Sequence, residues 1–327
     1  MTEQINFGRL CKIIESYKGK EVAITFHSIG DRDGVASAQA LAEYLEGATI
    51  ATPDFITRSA ERMLHKLGYK KITNRDLGNP DAIIVLDTNT LDALGSMKGK
   101  IQDSTAQVLF IDHHIFPKAP YKSAIIFNDE SYTSTTSIIY EVLKQISHSP
   151  SKNVARLMLY GIIADSAEFK NATSLTFRQI SELLGIIGSE YEEIIYDIDR
   201  KPPPQIRADE ISDIFKSTVE INGDYVIIYG ETKMHASEVA EMAMGLGADI
   251  ALFWRQNKEE ASISARMAPN LDKKLSLHLG RLMQDAGPIL EGSGGGHPCA
   301  AGAYGPNIKA AKDAVSKILS EIKGKMA

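Results

Sequence analysis

The sequence predicts an α/β protein: a doubly wound domain on a mostly parallel sheet, followed by a smaller α/β domain. Three observations predict it. Short apolar runs at 22–26, 82–86 and 107–111 sit between turn signals, as buried parallel strands do. Segments with apolar residues at helical spacing alternate with them. Finally, Arg200-Lys201-Pro202-Pro203-Pro204 interrupts the pattern with three prolines that cannot continue a helix and favour a stiff connection.

In order, strands are expected at 21–27, 82–87, 107–112 and 122–127, with helices at 34–46, 134–147, 153–164, 175–187 and 190–198. Ile138, Ile139, Val142, Leu143 and Ile146 carry the helical period in the second of these helices. The boundary falls in the proline segment. It gives a first domain over 1–200, a linker with a connecting helix over 201–216, and a second domain over 217–327. That domain reads as strands 224–230, 249–255 and 260–267 with helices 236–245, 272–285 and 307–323. The run Gly292-Ser293-Gly294-Gly295-Gly296-His297-Pro298 is expected to be a loop.

Composition narrows the function classes. A chain of 327 residues with 43% hydrophobic residues can build two ordinary cores. It has no apolar stretch of about eighteen residues, and its first ten residues lack the apolar core of a signal peptide. With only Cys11 and Cys299, no disulfide framework can form, and a reducing cytoplasmic setting is expected, without a membrane partner. The net charge of −6 argues against a binder of long duplexes. It leaves room for a short anionic substrate held through divalent ions, and a homodimer stays open.

The chemistry sits where the apolar runs end. Ligands of open parallel sheets bind outside the carboxyl ends of the strands. His27, Asp31 and Asp33 follow the first run, Asp87 the second, and Asp112, His113 and His114 the third, while Asp165 closes the run 157–164. Carboxylates with imidazoles suit Mn²⁺ or Fe²⁺, and Mg²⁺ less well. Asp31-Arg32-Asp33-Gly34 alone reads more readily as a surface turn, and Asp87 alone reads equally as a cap. A central Asp87 could bridge two ions. Asp112-His113-His114 is hard to justify as packing, and Asp112 could orient an imidazole. Asp165 ends a helix at the negative end of its dipole, which is unfavourable unless a cation compensates. In the second domain, Gly294, Gly295 and Gly296 could cradle phosphate with backbone N–H groups, and Arg266 could grip it bidentately.

In this order, these motifs resemble the DHH phosphoesterase family over nearly the whole chain, and within it the nanoRNase and phosphoadenosine-phosphate phosphatase (NrnA-like) subgroup. Ser134-Thr135-Thr136 is similar to the family's hydroxyl turn, and Gly294-Gly295-Gly296-His297-Pro298 with Ala300-Ala301-Gly302 to the signature of its associated C-terminal domain. Gly30, Arg32, Met267 and Ser293 depart from the subgroup's usual residues. The resemblance implies an enzyme with two divalent ions, Mn²⁺ first. One ion would lie on His27, Asp31 and Asp87, the other on Asp33, Asp87, His113 and Asp165. Asp112 and His114 would serve catalysis, His114 on the scissile phosphate, and Arg266 and His297 would hold substrate. Metal-activated water would then cleave short single-stranded oligonucleotides, 3′-phosphoadenosine 5′-phosphate, or linear or cyclic dinucleotides. The rivals are a RecJ-like single-strand exonuclease, a family II inorganic pyrophosphatase, and a non-catalytic nucleic-acid-binding scaffold.

Overall fold

The computed structural model describes residues 2–115, 123–198, 203–258 and 260–326. The chain divides into two compact units, 1–200 and 201–327. Arg200 at the end of the expected first domain, Lys201 and Pro202 of the expected linker, and residue 122 of an expected strand lie outside the described residues.

The first unit carries strands β1 (Glu3–Gln4), β2 (Val22–Phe26), β3 (Ile29–Gly30), β4 (Thr49–Ile50), β5 (Phe55–Ile56), β6 (Ala82–Leu86), β7 (Gln107–Asp112) and β8 (Ile125–Asn128). Its helices are α1 (Phe7–Ser16), α2 (Arg32–Leu45), α3 (Arg58–Lys66), α4 (Lys98–Gln102), α5 (Thr135–Gln145), α6 (Lys152–Asp165), α7 (Ser174–Ile187) and α8 (Tyr191–Ile198). Six strands form a parallel sheet in the order β1-β8-β7-β6-β2-β4. Every residue of β2 and β6 is buried, which is why those strands read as unbroken apolar runs. Alternate residues serve opposite faces. Ile24, Ile84 and Leu109 pack into one core with α2, α5 and α6, and Ala23, Ile83 and Phe110 into another with Leu94 and Ile101.

The strand order fixes where a site can form. From β2 the chain moves to β4 on one side, then returns to β6 on the other. The carboxyl ends of β2 and β6 therefore flank a topological switch point. The register sets Phe26 beside Leu86 and Leu86 beside Ile111, so His27, Asp87 and Asp112 stand abreast one residue further on.

The second unit comprises α9 (Pro204–Phe215), β9 (Thr218–Asn222), β10 (Tyr225–Glu231), α10 (Ala236–Gly245), β11 (Ile250–Gln256), β12 (Ala261–Met267), α11 (Leu271–Leu275), α12 (Leu279–Ala286), β13 (Ser293–Gly296), β14 (Ala300–Gly305) and α13 (Ala311–Met326). Its mixed sheet runs β13-β14-β12-β11-β10-β9, with β10 and β11 parallel. Among the described residues, no helix is long and apolar enough to cross a membrane.

Two expectations are corrected here. The single helix expected at 272–285 is two, because Ser276 turns left-handed (φ 49°) and His278 caps a new helix by accepting from the Arg281 N–H at 3.3 Å. The bend lets both Leu277 and Leu279 reach the core. The glycine run is not a loop either. Gly294, Gly295 and Gly296 form β13, paired antiparallel with Ala303, Gly302 and Ala301. Glycine is required there by close packing against α12: a Cβ on Gly294 would collide with the Met283 carbonyl, and one on Gly280 with the Gly296 carbonyl. Successive N–H groups of a strand point in opposite directions, so this run does not form the expected anion nest.

Candidate metal centre

Asp31 caps α2, its Oδ1 accepting from the N–H groups of Asp33 (3.0 Å) and Gly34 (3.1 Å). That cap places Asp33 in the first helical turn, fully buried. Its carboxylate meets the start of α5, which Ser134 caps. The Thr135 N–H donates to Asp33 Oδ2 at 2.7 Å and the Thr136 N–H to Oδ1 at 2.8 Å. A helix N-terminus thus holds this acid through donors and dipole together. The Thr135 hydroxyl also donates to Asp87 Oδ1 at 3.1 Å.

Asp87 has a left-handed backbone (φ 60°), a conformation Asp tolerates better than most residues. The turn swings its carboxylate among three imidazoles: His27 Nε2 lies 3.2 Å from Oδ2, and His113 Nε2 and His114 Nδ1 lie 3.6 and 3.8 Å from Oδ1. His27 Nε2 is also 3.5 Å from Asp31 Oδ1. Asp112, wholly buried, accepts from the His113 N–H at 2.8 Å and orients His114 through a 2.7 Å contact with Nδ1. Asn128 fixes the same loop by donating to the His114 carbonyl at 2.8 Å, and Asn89 links to Asn128 at 2.9 Å and to the Ile115 carbonyl at 3.1 Å. Asp165 ends α6 with Oδ2 3.0 Å from His113 Nε2. Beyond it, Ala167, Glu168 and Phe169 are all left-handed (φ 50°, 54° and 70°), a strained exit of the kind that persists where surrounding structure enforces it.

Ligand atoms gather in three groups, each within 4.8 Å: His27, Asp31 and Asp87; Asp33, Asp87, His113 and Asp165; and Asp87, Asp112, His113 and His114. Asp87 belongs to all three. The charges of the cluster are strongly perturbed. Burial disfavours the His27 cation, but Asp31 and Asp87 outweigh it and hold the imidazole well above its usual pKa. Burial likewise opposes the His113 cation, yet Asp165 and Asp87 push it up to about 12. His114 is raised against burial, chiefly by Asp112. Asp87 resists its own burial because His113 and His27 hold it well below the carboxylate range. Burial raises Asp33, reinforced by Asp87 and Asp165. Asp165 reaches about 6 through burial, with Asp87 and Asp31 adding to it against the pull of His113.

The donor set fits divalent cations. It combines hard carboxylate oxygens with imidazole nitrogens. Buried His113 Nε2 makes no well-formed hydrogen bond among the described residues, although Asp165 Oδ2 lies 3.0 Å away. Positive charge between these carboxylates would relieve the repulsion that raises Asp33 and Asp165.

All the first-unit residues singled out from the sequence therefore converge. Ser134-Thr135-Thr136 was marked in the sequence only as a hydroxyl turn; its clamp on Asp33, and the bracing by Asn89 and Asn128, did not emerge from sequence. A hydroxyl N-cap ahead of an apolar helix was the available sign of an anion-binding helix start.

In the second unit, Arg266 stands opposite Ala300 in the register, and the hairpin reverses at His297-Pro298-Cys299, so Arg266 and His297 share one end of the sheet. The His297 N–H donates to the Ala300 carbonyl at 2.8 Å. Arg266 engages Glu241 through Nε at 3.1 Å and Ser264 at 3.2 Å.

An uncharacterized protein of Methanocaldococcus jannaschii is 27% identical over 319 residues, covering 95% of this chain and 94% of that protein. Among solved structures, an exopolyphosphatase-related protein from Bacteroides fragilis superposes with a TM-score of 0.78 at 18% identity, covering 98% and 97% of the two chains. Exonuclease RecJ bound to manganese gives 0.52 at 13% identity over 97% and 94%. Residues 21–162 match the DHH family, N-terminal domain, and residues 222–325 match the DHHA1 domain, so the chain carries a DHH domain followed by a DHHA1 domain.

Proposed function

We propose that this chain is a Mn²⁺-dependent phosphodiesterase of the NrnA-like subgroup. Its substrates would be short single-stranded oligonucleotides or small nucleotides such as 3′-phosphoadenosine 5′-phosphate and linear or cyclic dinucleotides. The observation that carries this reading is the sharing of Asp87 between a His27/Asp31 group and an Asp33/His113/Asp165 group. Two ions held there would supply Lewis-acid activation of water and of the phosphoryl oxygens.

The chain's own residues do the rest. Thr135 and Thr136 keep Asp33 aimed at its group, and the left-handed turn at Asp87 presents one carboxylate to both. Asp112 holds His114 and favours its charged form, a donor suited to a phosphate oxygen. Residues 1–200 form the catalytic domain, 201–216 the link, and 217–327 the substrate-binding domain. There Arg266 and His297 contact phosphate, Arg266 exchanging Glu241 for it. Gly294, Gly295 and Gly296 give a side-chain-free edge to which a substrate can come close.

The likeness to RecJ favours a second reading, an exonuclease on longer strands. Hydrolysis of 2–5-mers, 24-mers, 3′-phosphoadenosine 5′-phosphate, cyclic dinucleotides and pyrophosphate should be compared with Mn²⁺ and in EDTA. The proposal expects Mn²⁺-dependent cleavage, fastest on 2–5-mers. Faster cleavage of 24-mers would favour the RecJ-like reading, pyrophosphate alone the pyrophosphatase, and no cleavage a binding scaffold.

A further inference from the structure

Between His27 and Asp31 the chain does not simply turn. Ile29 and Gly30 pair in parallel with Phe55 and Ile56 to make a two-residue ribbon separate from the main sheet. Backbone bonds anchor it: the Phe55 N–H donates to Ser28 O at 3.3 Å, the Thr57 N–H to Gly30 O at 2.8 Å, and the Ser28 N–H to Ala93 O at 2.7 Å. Strand alternation sorts its four residues. Gly30 and Ile56 face inward, and Gly30 lies so close to Phe26 that a Cβ there would strike the ring. Ile29 and Phe55 therefore face outward side by side, 43% and 48% exposed.

An exposed Ile beside an exposed Phe, on a backbone-bonded ribbon, offers a small apolar face to a ligand. The position indicates which. Ile29 is two residues from His27 and two from Asp31, so its Cα lies within about 7.6 Å of the Cα of either. A stable protein partner needs on the order of 1,000 Å² of interface. Two half-exposed side chains offer a small fraction of that, roughly one face of a nucleobase. A sugar sets its base a few ångströms from its phosphate, so a base beside a phosphate on His27 and Asp31 falls within reach of Ile29 and of the Phe55 paired with it.

We propose that Ile29 and Phe55 form a stacking wall for the base adjoining the scissile phosphate. This rests on the phosphodiesterase reading above and narrows it: the substrate is a phosphodiester bearing a nucleobase rather than a bare polyphosphate. Phe55 supplies the aromatic face and Ile29 fills the edge beside it. The wall is sequence-tolerant, because every base has a π face.

The test compares kcat/KM with Mn²⁺ on thymidine 5′-(p-nitrophenyl phosphate) and methyl p-nitrophenyl phosphate. The two share scissile bond and leaving group and differ only in the nucleoside. The wild type should prefer the thymidine ester, and Phe55→Ala should lower the ratio of the two by at least about fivefold, the weak end of base–aromatic stacking. Phe55→Tyr should restore it. In metal-free protein, saturation transfer to the ring protons of AMP should be present in the wild type, lost in Phe55→Ala and kept in Phe55→Tyr. A ratio unchanged in Phe55→Ala overturns the wall while leaving the phosphodiesterase reading intact. Hydrolysis of neither ester by the wild type overturns that reading. The AMP experiment then decides the wall alone, and equal saturation in wild type and Phe55→Ala sinks it.

Discussion

Filling the candidate centre with metal should expel protons, because metal-free His27 and His113 both hold theirs at neutral pH. Their nitrogens lie within 3.6 Å of the Asp87 carboxylate, and His113 is raised to about 12. A nitrogen that binds a cation must lose its proton, so loading both groups near pH 7.5 should release about two protons per chain. Asp33, raised by burial, adds a further fraction. The linked stability has a definite sign. A raised imidazole stabilises the folded metal-free state fully below the unfolded value of about 6.5, and that stability is lost as pH rises through the folded value. Between these limits the metal-free protein should weaken by roughly 1 kcal/mol per pH unit for each such imidazole. Asp165 acts in the same direction lower down: its carboxyl, raised to about 6, costs stability as pH climbs from the ordinary carboxylate range through that value. Mn²⁺ affinity should therefore rise steeply with pH, and the Mn²⁺-induced shift in melting temperature should grow from pH 5 to pH 8 at fixed Mn²⁺. Calorimetric titration in buffers of different ionisation enthalpy measures the protons directly. Release of none at pH 7.5, or a melting shift independent of pH, would refute the assignment of both imidazoles as ligands.

Asp87→Asn should cut Mn²⁺-dependent turnover by at least about a hundredfold and abolish the Mn²⁺ melting shift. The fold should survive, because Asn also accepts the left-handed backbone at φ 60°. Circular dichroism with steady-state rates checks both. Asn128→Ala removes the bond to the His114 carbonyl and the partner of Asn89, and should cost about 1 kcal/mol in denaturant unfolding together with a fall in kcat. Gly294→Ala drives a methyl into the Met283 carbonyl and should destabilise the second unit by about 1–3 kcal/mol, read as a lower unfolding midpoint.

The sequence alone determined the parallel strands and most of the candidate cluster at their ends, and for one reason. A strand buried on both faces must be apolar throughout, so polar groups can appear only where it ends, and the ends of neighbouring parallel strands lie side by side. His27, Asp87 and Asp112 were legible because each follows such a run and the register sets them abreast. Amphipathic spacing likewise revealed α5, α6 and α7. Other features had no local signature. Asp33 is held by N–H groups of Thr135 and Thr136, about a hundred positions away, and only the packing of α5 against α2 brings them together. The glycine run looked like a loop because glycine disfavours strands in isolation. It is a strand because it pairs with β14, and at Gly294 α12 lies too close for a side chain. Ser276 breaks an apparently continuous helix so that Leu277 and Leu279 can both reach the core. The Ile29–Phe55 pair joins two segments, neither of which has a strand period, through a register that exists only once β2 and the chain after β4 are in place. Local pattern encodes which faces must leave water. Which distant groups then meet is decided by packing, where a close approach or a shared hydrogen bond outweighs the intrinsic preference of any single residue.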